Sequence, residues 1–340
     1  MKINNRRYIG CKTKLLDFIY ETISSYNFNE GSVLADIFAG TGVVANAFAN
    51  KGYKTILNDT LYSNVVIYKA ILGEGNLDMP LLEETLEYLN SINPETLDDN
   101  YFSITYGNKY FSINDSKKIG FIRDYIEDNK GKFNEREYCY LISCLIYSCD
   151  KIANTVGHFE SFLKKTPEDR GIILEMFDVN TNIIPADIYN EDANTLAPKI
   201  EADIVYIDPP YNARQYVNFY HVLENLARWN KPTEFEGNSM KFKRNELKSD
   251  YCRKKAPDLF RDLINSLKCK LIVVSYNNTY KAGSISSVNM ISADQIIEIL
   301  SKRGKVIVKE TDYRAFNSGK TELEGHKELL YICEVKQWQY

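Results

Sequence analysis

VLADIFAGTGVVANAFANK, residues 33–51, begins as a short apolar strand, runs into Gly40 and Gly42, and continues as a helix over 43–51 that Gly52 stops. A strand that passes through glycines into a helix is the first half of a β-α-β unit. On its N-terminal side, LLDFIYETISSY (15–26) has helical spacing of apolar residues, broken at Gly31 and Ser32. On its C-terminal side, YKTILN (53–58) reads as a second strand ending at Asp59, with a helix over 61–72 behind it. The order β-α-β-α opens a doubly wound parallel sheet, so the fold class is α/β.

Further out the rhythm breaks and then returns. Residues 74–100 carry eight acidic side chains and no basic one. LLEETLEYLNSI (81–92) is a predicted helix, followed by the Tyr-rich YFSITYGNKYF (101–111) and by helical patterns over 115–128 and 135–152. No β-α-β alternation recurs until about 184. A length of 340 residues suits either two domains or one large α/β domain with an insertion. The pattern favours the second: 1–73 and 184–340 as one domain, with a mainly helical insert at 74–183. After 184, DIVYI (203–207) is a strand running into Asp208-Pro209-Pro210-Tyr211, with a helix over 216–229, a strand at 270–275 and a helix over 293–303. Strands at 305–312 and 328–335 close the chain as a predicted antiparallel hairpin.

The glycine loop offers backbone close approach and free N–H groups at a helix start. Gly40-x-Gly42-x-x-Ala45 formally fits a dinucleotide fingerprint with Ala in third place. Asp36 inside the turn suits a ligand with a positive amine, such as S-adenosylmethionine, better than a pyrophosphate. Asp59, 19 residues after Gly40, stands where α/β nucleotide sites put a carboxylate on ribose. A purely structural turn is the third reading.

In Asp208-Pro209-Pro210-Tyr211 the prolines remove two N–H donors. Carbonyls and a carboxylate remain as acceptors beside an aromatic ring. That array suits a planar amino group whose two N–H bonds go to Asp208 and the Pro209 carbonyl while Tyr211 stacks on the attached ring. The plainer reading is a strand end with an Asp cap.

The remaining composition sets bounds. Seven Cys without a CxxC pair favour neither a zinc ribbon nor a disulfide framework. Cys139, Cys144 and Cys149 read as buried thiols of a core helix. Three His (His158, His221, His326) make a His-rich metal site unexpected, and no metal is expected. MKINNRRYIG lacks the apolar core of a secretion signal, and no stretch has the roughly 18 to 20 apolar residues of a membrane span. The expectation is a cytoplasmic chain with no membrane partner.

Tyr8-Ile9-Gly10-Cys11-Lys12, Asp36–Gly42, Asp59 and Asp208–Tyr211 together resemble the Dam-like, alpha-group N6-adenine DNA methyltransferases. The likeness covers residues 6–72 and 184–340, and the insert by position alone. It implies a Rossmann-like class I methyltransferase sheet with an inserted target-recognition domain and S-adenosylmethionine as cofactor. The substrate it implies is adenine N6, flipped out of double-stranded DNA. It also implies a cognate restriction endonuclease as a partner class. Tyr8, Gly10 and Lys12 would line the methionine end of the cofactor, Lys12 near its carboxylate. Asp36, Phe38, Gly40 and Gly42 would form the cofactor loop. Asp59 would hold ribose, Asp192 the adenine amino group, and Phe316 would wall the base pocket. Asp208, Pro209, Pro210 and Tyr211 would be catalytic, transferring the methyl directly without a Cys nucleophile. Related motifs with Asn first modify protein glutamine or RNA, so RNA or another amino-bearing substrate is the alternative; this chain has Asp.

The net charge of −4 resolves into two patches of +5, at 1–14 and 241–255, against a remainder of −14. Lys241, Lys243, Arg244, Lys248, Arg253, Lys254 and Lys255 are therefore candidate phosphate contacts in a loop over 231–257, or a solvated charge run. Lys151, Asn154, Thr155, His158, Lys164 and Lys165 form a second polar-basic cluster suited to reading bases.

Overall fold

The computed structural model describes residues 7–278, 288–312 and 327–336. In chain order its elements are α1 (Leu16–Ser24), β1 (Val33–Asp36), α2 (Val43–Ala49), β2 (Lys54–Asn58), α3 (Tyr62–Leu72), α4 (Met79–Ser91), α5 (Tyr101–Tyr106), α6 (Ile113–Asp128) and α7 (Glu135–Ile152). There follow β3 (Asp187–Tyr189), α8 (Ala193–Leu196), β4 (Ile204–Ile207), α9 (Tyr216–Arg228), β5 (Phe235–Glu236), β6 (Lys241–Phe242), α10 (Ala256–Ser266), β7 (Leu271–Asn277), α11 (Ala293–Ser301), β8 (Gly304–Asp312) and β9 (Lys327–Val335). They pack as two compact units.

The first unit takes Ile9–Thr60, Ile183–Tyr216 and the described part of Leu247–Tyr340. Its seven-stranded sheet has the order β3-β2-β1-β4-β7-β9-β8. The first five are parallel neighbours, and β9 runs antiparallel to both β7 and β8, as the hairpin pattern predicts. The apolar runs of β4 and β7 explain their central place, since a strand covered on both faces needs no polar alternation. Every residue of β4 is buried. The edge strand β8 instead alternates lysines, glutamate and valines. Phe260, Leu263, Ile264, Ile296 and Leu300 from α10 and α11 close over Ala35, Val205, Ile272 and Val274 in a single apolar core. The chain leaves β1 toward β2 and β3, and later enters β4 on the other side of β1. The carboxyl ends of β1 and β4 therefore form the topological switch point, where open α/β sheets leave a crevice.

Helix α10 lies partly within the stretch that reads as a loop. Its apolar residues Phe260, Leu263, Ile264 and Leu267 have helical spacing, but they follow a dense run of charge. The 231–257 segment also holds the short β5–β6 pair and buried Tyr251 and Cys252.

The second unit takes Leu61–Asn182 and Val217–Glu246, with Arg7 and Tyr8. It is wider than the 74–183 block, and buried charges at helix ends explain why. The amides of Tyr62 and Ser63 donate to Glu224 at 2.9 Å each, so a carboxylate from α9 caps the start of α3. Arg136 of α7 donates to the carbonyls of Ala70 (3.2 Å), Ile71 (3.1 Å) and Gly75 (2.8 Å) at its other end. An anion at the N-terminus and a cation at the C-terminus both match the helix dipole. Arg123, 1% exposed, does the same for α9, donating to Leu226 O at 2.9 Å. Cys139, Cys144 and Cys149 lie buried in α7, and burial pushes the Cys139 thiol up to about 12. Among the described residues no helix is long and apolar enough to cross a membrane.

Candidate active site

Three loops at the carboxyl ends of β1, β2 and β4 build the site in the sheet-bearing unit. After β1 the backbone takes positive φ at Gly40 (54°) and again at Gly42 (73°), which starts α2. A side chain would strain both positions. The Gly40 amide donates to Asp59 Oδ2 at 2.9 Å, so the carboxylate that ends β2 also ties down the glycine loop. Asn58 braces the same corner: its Nδ2 donates to Ile37 O (3.1 Å) and Glu191 O (3.0 Å). Phe38 sits edge-on to Tyr251, ring centroids 5.1 Å apart. The Tyr251 hydroxyl donates to Asn194 Oδ1 at 2.8 Å. Asp192 caps α8, its Oδ1 accepting from the Asn194 and Thr195 amides.

Asp36 is the most unusual group. It is 1% exposed, and neither carboxylate oxygen has a hydrogen-bond partner. The Phe38 and Ala45 amides lie near enough to favour its charge, without forming a bond of proper geometry. Burial first, then the charges of Asp208 and Asp59, push its pKa well above the usual carboxylate range. A buried carboxylate without partners is costly unless a cation joins it. The donor set thus fits a ligand that brings an ammonium to the end of β1 and hydroxyls to Asp59.

The residues after β4 form a tight polar network. The Lys12 ammonium, 5% exposed, lies 3.1 Å from Asp208 Oδ1 and 2.7 Å from Glu328 Oε1. It also donates to the Tyr211 hydroxyl at 2.5 Å. The single proton of that hydroxyl faces Asp208 Oδ1 at 2.6 Å and Glu328 Oε1 at 2.5 Å. Ser275 Oγ donates to Glu328 Oε1 at 2.8 Å. The Tyr211 ring tilts against Tyr276 with centroids 4.5 Å apart. Its carbonyl accepts from Tyr276 OH (3.0 Å) and from the Met290 amide (2.7 Å). Burial raises Asp208 to about 6, against the pull of Lys12 and with the push of Glu328. The same burial and both carboxylates hold Tyr211 protonated.

The structure does not gather every residue singled out in the sequence. Lys12, expected near a ligand carboxylate, instead has its ammonium on Asp208 and Glu328. Gly10 has φ 80°, and a Cβ there would sit 3.1 Å from Tyr216 OH. Tyr8 belongs to the helical unit, stacked on Tyr220 at 4.6 Å and accepting from Asn64 Nδ2. Phe316 lies outside the described residues. Arg244 is a correction to the phosphate-contact set. It is 6% exposed and donates to Asn218 Oδ1 (2.8 Å), Glu236 Oε2 (2.9 Å) and Phe242 O (3.0 Å). Lys241 is half-buried, and burial lowers its pKa. Lys243, Arg253, Lys254 and Lys255 are exposed, and Lys248 is half-buried; Asp250 pairs with Arg253 and Lys255.

Asn154 is a correction to the base-reading cluster. It is 5% exposed, and its amide group donates to the carbonyls of Lys109 (3.0 Å), Leu163 (3.1 Å) and Lys165 (3.2 Å). It clasps the loop after α7 to the helical unit. Lys151 remains exposed beside Glu175, and half-buried His158 packs on Phe219. Asn154→Ala is expected to lower stability by about 2–3 kcal/mol, because buried carbonyls lose their donor. Urea unfolding measures this; unchanged stability with altered DNA selectivity would return Asn154 to base reading.

Glu328, Ser275, Tyr276, Asn58 and Tyr251 escape the sequence reading. Glu328 had one faint signal, a carboxylate directly ahead of the apolar run LLYIC in the strand KELLYICEV.

The strand order, the glycine loop after β1 and the Asp-Pro-Pro-Tyr turn after β4 define the class: a Rossmann-like methyltransferase domain. More narrowly, the chain belongs to the D12 class N6 adenine-specific DNA methyltransferase family, whose model matches residues 8–280. It is 37% identical to the modification methylase StsI of Streptococcus sanguinis over 97% of this chain and 52% of that protein. It is 32% identical to the type II methyltransferase M.FokI of Planomicrobium okeanokoites over 96% of this chain and 52% of that one. Against the type II methyltransferase M.NlaIII of Neisseria lactamica it is also 32% identical, over 96% of this chain and 98% of the relative. The chain thus spans about half the length of the first two relatives and nearly all of the third.

Proposed function

We propose that the chain transfers a methyl group from S-adenosylmethionine to N6 of a flipped-out adenine in double-stranded DNA, as the modification arm of a restriction system. One observation carries the reading: Asp208-Pro209-Pro210-Tyr211 and the partnerless Asp36 stand at the carboxyl ends of two adjacent strands. Names of the relatives as modification methylases and type II methyltransferases support it. The order of cofactor loop, helical block and Asp-Pro-Pro-Tyr is the Dam-like, alpha-group order, and we assign the chain there. The helical block at 74–183 is assigned to target recognition, and the two flanking parts to the methyltransferase domain.

S-adenosylmethionine, when bound, supplies an electrophilic methyl on a sulfonium. Asp36 would hold its ammonium, Phe38, Gly40 and Gly42 its path along the loop, and Asp59 its ribose. Gly10 would line the methionine end, and Asp192 would take the adenine amino group with the oxygen that does not cap α8. Asp208 and the Pro209 carbonyl accept the two N–H bonds of the target amine, which localises its lone pair for attack. The target amine would give one proton to the Asp208 carboxylate as it takes up the methyl that the bound cofactor would supply. Pro209 and Pro210 withhold N–H donors that would compete for those acceptors. Tyr211 would flank the base. The exposed cations at 243 and 253–255, with Lys248, would grip phosphates, and Lys151 and His158 would assist near the target.

The test is methyl transfer with tritium-labelled S-adenosylmethionine to duplex DNA and to tRNA in parallel. Label in N6-methyladenine of duplex DNA is the expected result. Label in tRNA alone, or in neither, overturns the reading.

A further inference from the structure

The network behind Asp208 holds two carboxylates and one ammonium. Glu328 is 1% exposed, at the head of β9, and three donors converge on its Oε1: Lys12, Tyr211 and Ser275. Burying a carboxylate this deeply is costly without such partners. Lys12 stands closer to Glu328 than to Asp208, 2.7 against 3.1 Å. Glu328 therefore takes the larger share of the only ammonium that touches Asp208 among the described residues. An acceptor carboxylate left less neutralised is the stronger acceptor.

We propose that Glu328 is a positioning residue for methyl transfer: it draws the Lys12 ammonium and the Tyr211 hydroxyl toward itself, so that they do not fully neutralise the Asp208 carboxylate that accepts the proton leaving the amine. This rests on the reading of Asp208 given above. The groups facing Asp208 come from several elements: Lys12 before α1, Asp36 on β1, Tyr206 on β4, Tyr211 in the turn and Glu328 on β9. Of these carboxylates, Glu328 is the one that shares the Lys12 ammonium with Asp208. Without its charge, Lys12 belongs to Asp208 alone and a repelling neighbour is lost. Both changes favour the charged form of Asp208, so they act in one direction.

The experiment is single-turnover methyl transfer from preformed enzyme–cofactor complex to duplex DNA, as a function of pH, for wild type, Glu328→Gln and Asp208→Ala. Glutamine keeps the size of the side chain, and thermal melting with S-adenosylhomocysteine binding checks that the variant is folded. The acid limb of Glu328→Gln is expected about one pH unit below that of wild type, with the plateau rate down about tenfold and KM for DNA unchanged. A lower plateau with an unmoved limb would reduce Glu328 to a structural residue and overturn the proposal; a limb displaced upward would overturn it too. Should Asp208→Ala retain full activity, the assignment of Asp208 fails instead, whatever Glu328→Gln does.

Discussion

Asp208→Ala is expected to cut the methyl-transfer rate by at least about 10³-fold while S-adenosylhomocysteine still binds. The two halves of the result separate because Asp208 stands after β4 with Lys12 and Tyr211, whereas the loop assigned to the cofactor follows β1. Losing one preorganised group aimed at developing charge costs about 10²–10³-fold; here the proton acceptor goes as well. Asp208→Asn, which keeps a carbonyl acceptor, should fall between alanine and wild type. Wild-type activity should rise with pH through about 6, where burial places the Asp208 titration, because the carboxylate form is the acceptor. Stability moves oppositely. With a folded pKa above the unfolded one, the stabilising contribution of Asp208 is complete below the unfolded value and is lost as pH rises through about 6. Asp208→Asn should therefore melt at a higher temperature than wild type at pH 7.5. Each tenfold difference in proton affinity between the folded and unfolded chain is worth about 1.4 kcal/mol of that gain. Full transfer activity in Asp208→Ala, measured in single turnover, would end the assignment.

Asp36→Ala is expected to weaken S-adenosylmethionine binding about 10- to 150-fold, since a charge-assisted contact in a dry site is worth about 1.5–3 kcal/mol. Asp36→Asn should lose nearly as much, because the amide cannot supply the negative charge an ammonium requires. Wild-type binding should tighten as pH rises through the elevated pKa of Asp36, since only the ionised form pairs with the cation. In calorimetry this appears as protons released on binding. Free Asp36→Asn protein should melt at a higher temperature than wild type, because it no longer buries an unpartnered carboxylate. Undiminished cofactor affinity in both variants would remove Asp36 from the site.

Much of the fold and site was legible in the sequence for a physical reason. The glycine turn, the acid that ends β2 and the Pro-Pro turn are short and local, and each sits on a strand end. Strand-end placement follows from periodicity, so the order of the β-α units predicts that β1 and β4 share an edge. Side-chain exposure is not periodic in the same way. Arg244 and Lys254 look alike in a basic run, yet one is folded into hydrogen bonds and the other is exposed. Asn154 looks like a base reader until its three carbonyl partners are seen. Glu328 lies 120 residues from Asp208 in a strand that reads as ordinary, and only the antiparallel return of β9 beside β7 brings it to the site. The three-residue β3 is too short for any period to reveal.

The sheet order has a consequence for the chain during its synthesis. Strand β1 pairs with β2 within some 25 residues, but its other edge waits for β4, and β2 waits for β3. About 130–150 residues, most of the helical unit among them, leave the ribosome in that interval, roughly 7 to 30 s at ordinary elongation rates. For that time an apolar pair of strands stands with both edges open, a template for pairing with another nascent chain. The acidic stretch at 74–100, eight negative charges emerging directly behind α3, follows that pair out of the ribosome. Like charges on neighbouring nascent chains would repel one another while the edges are bare, so neutralising this stretch is expected to increase aggregation during expression more than it changes the melting temperature of the finished protein.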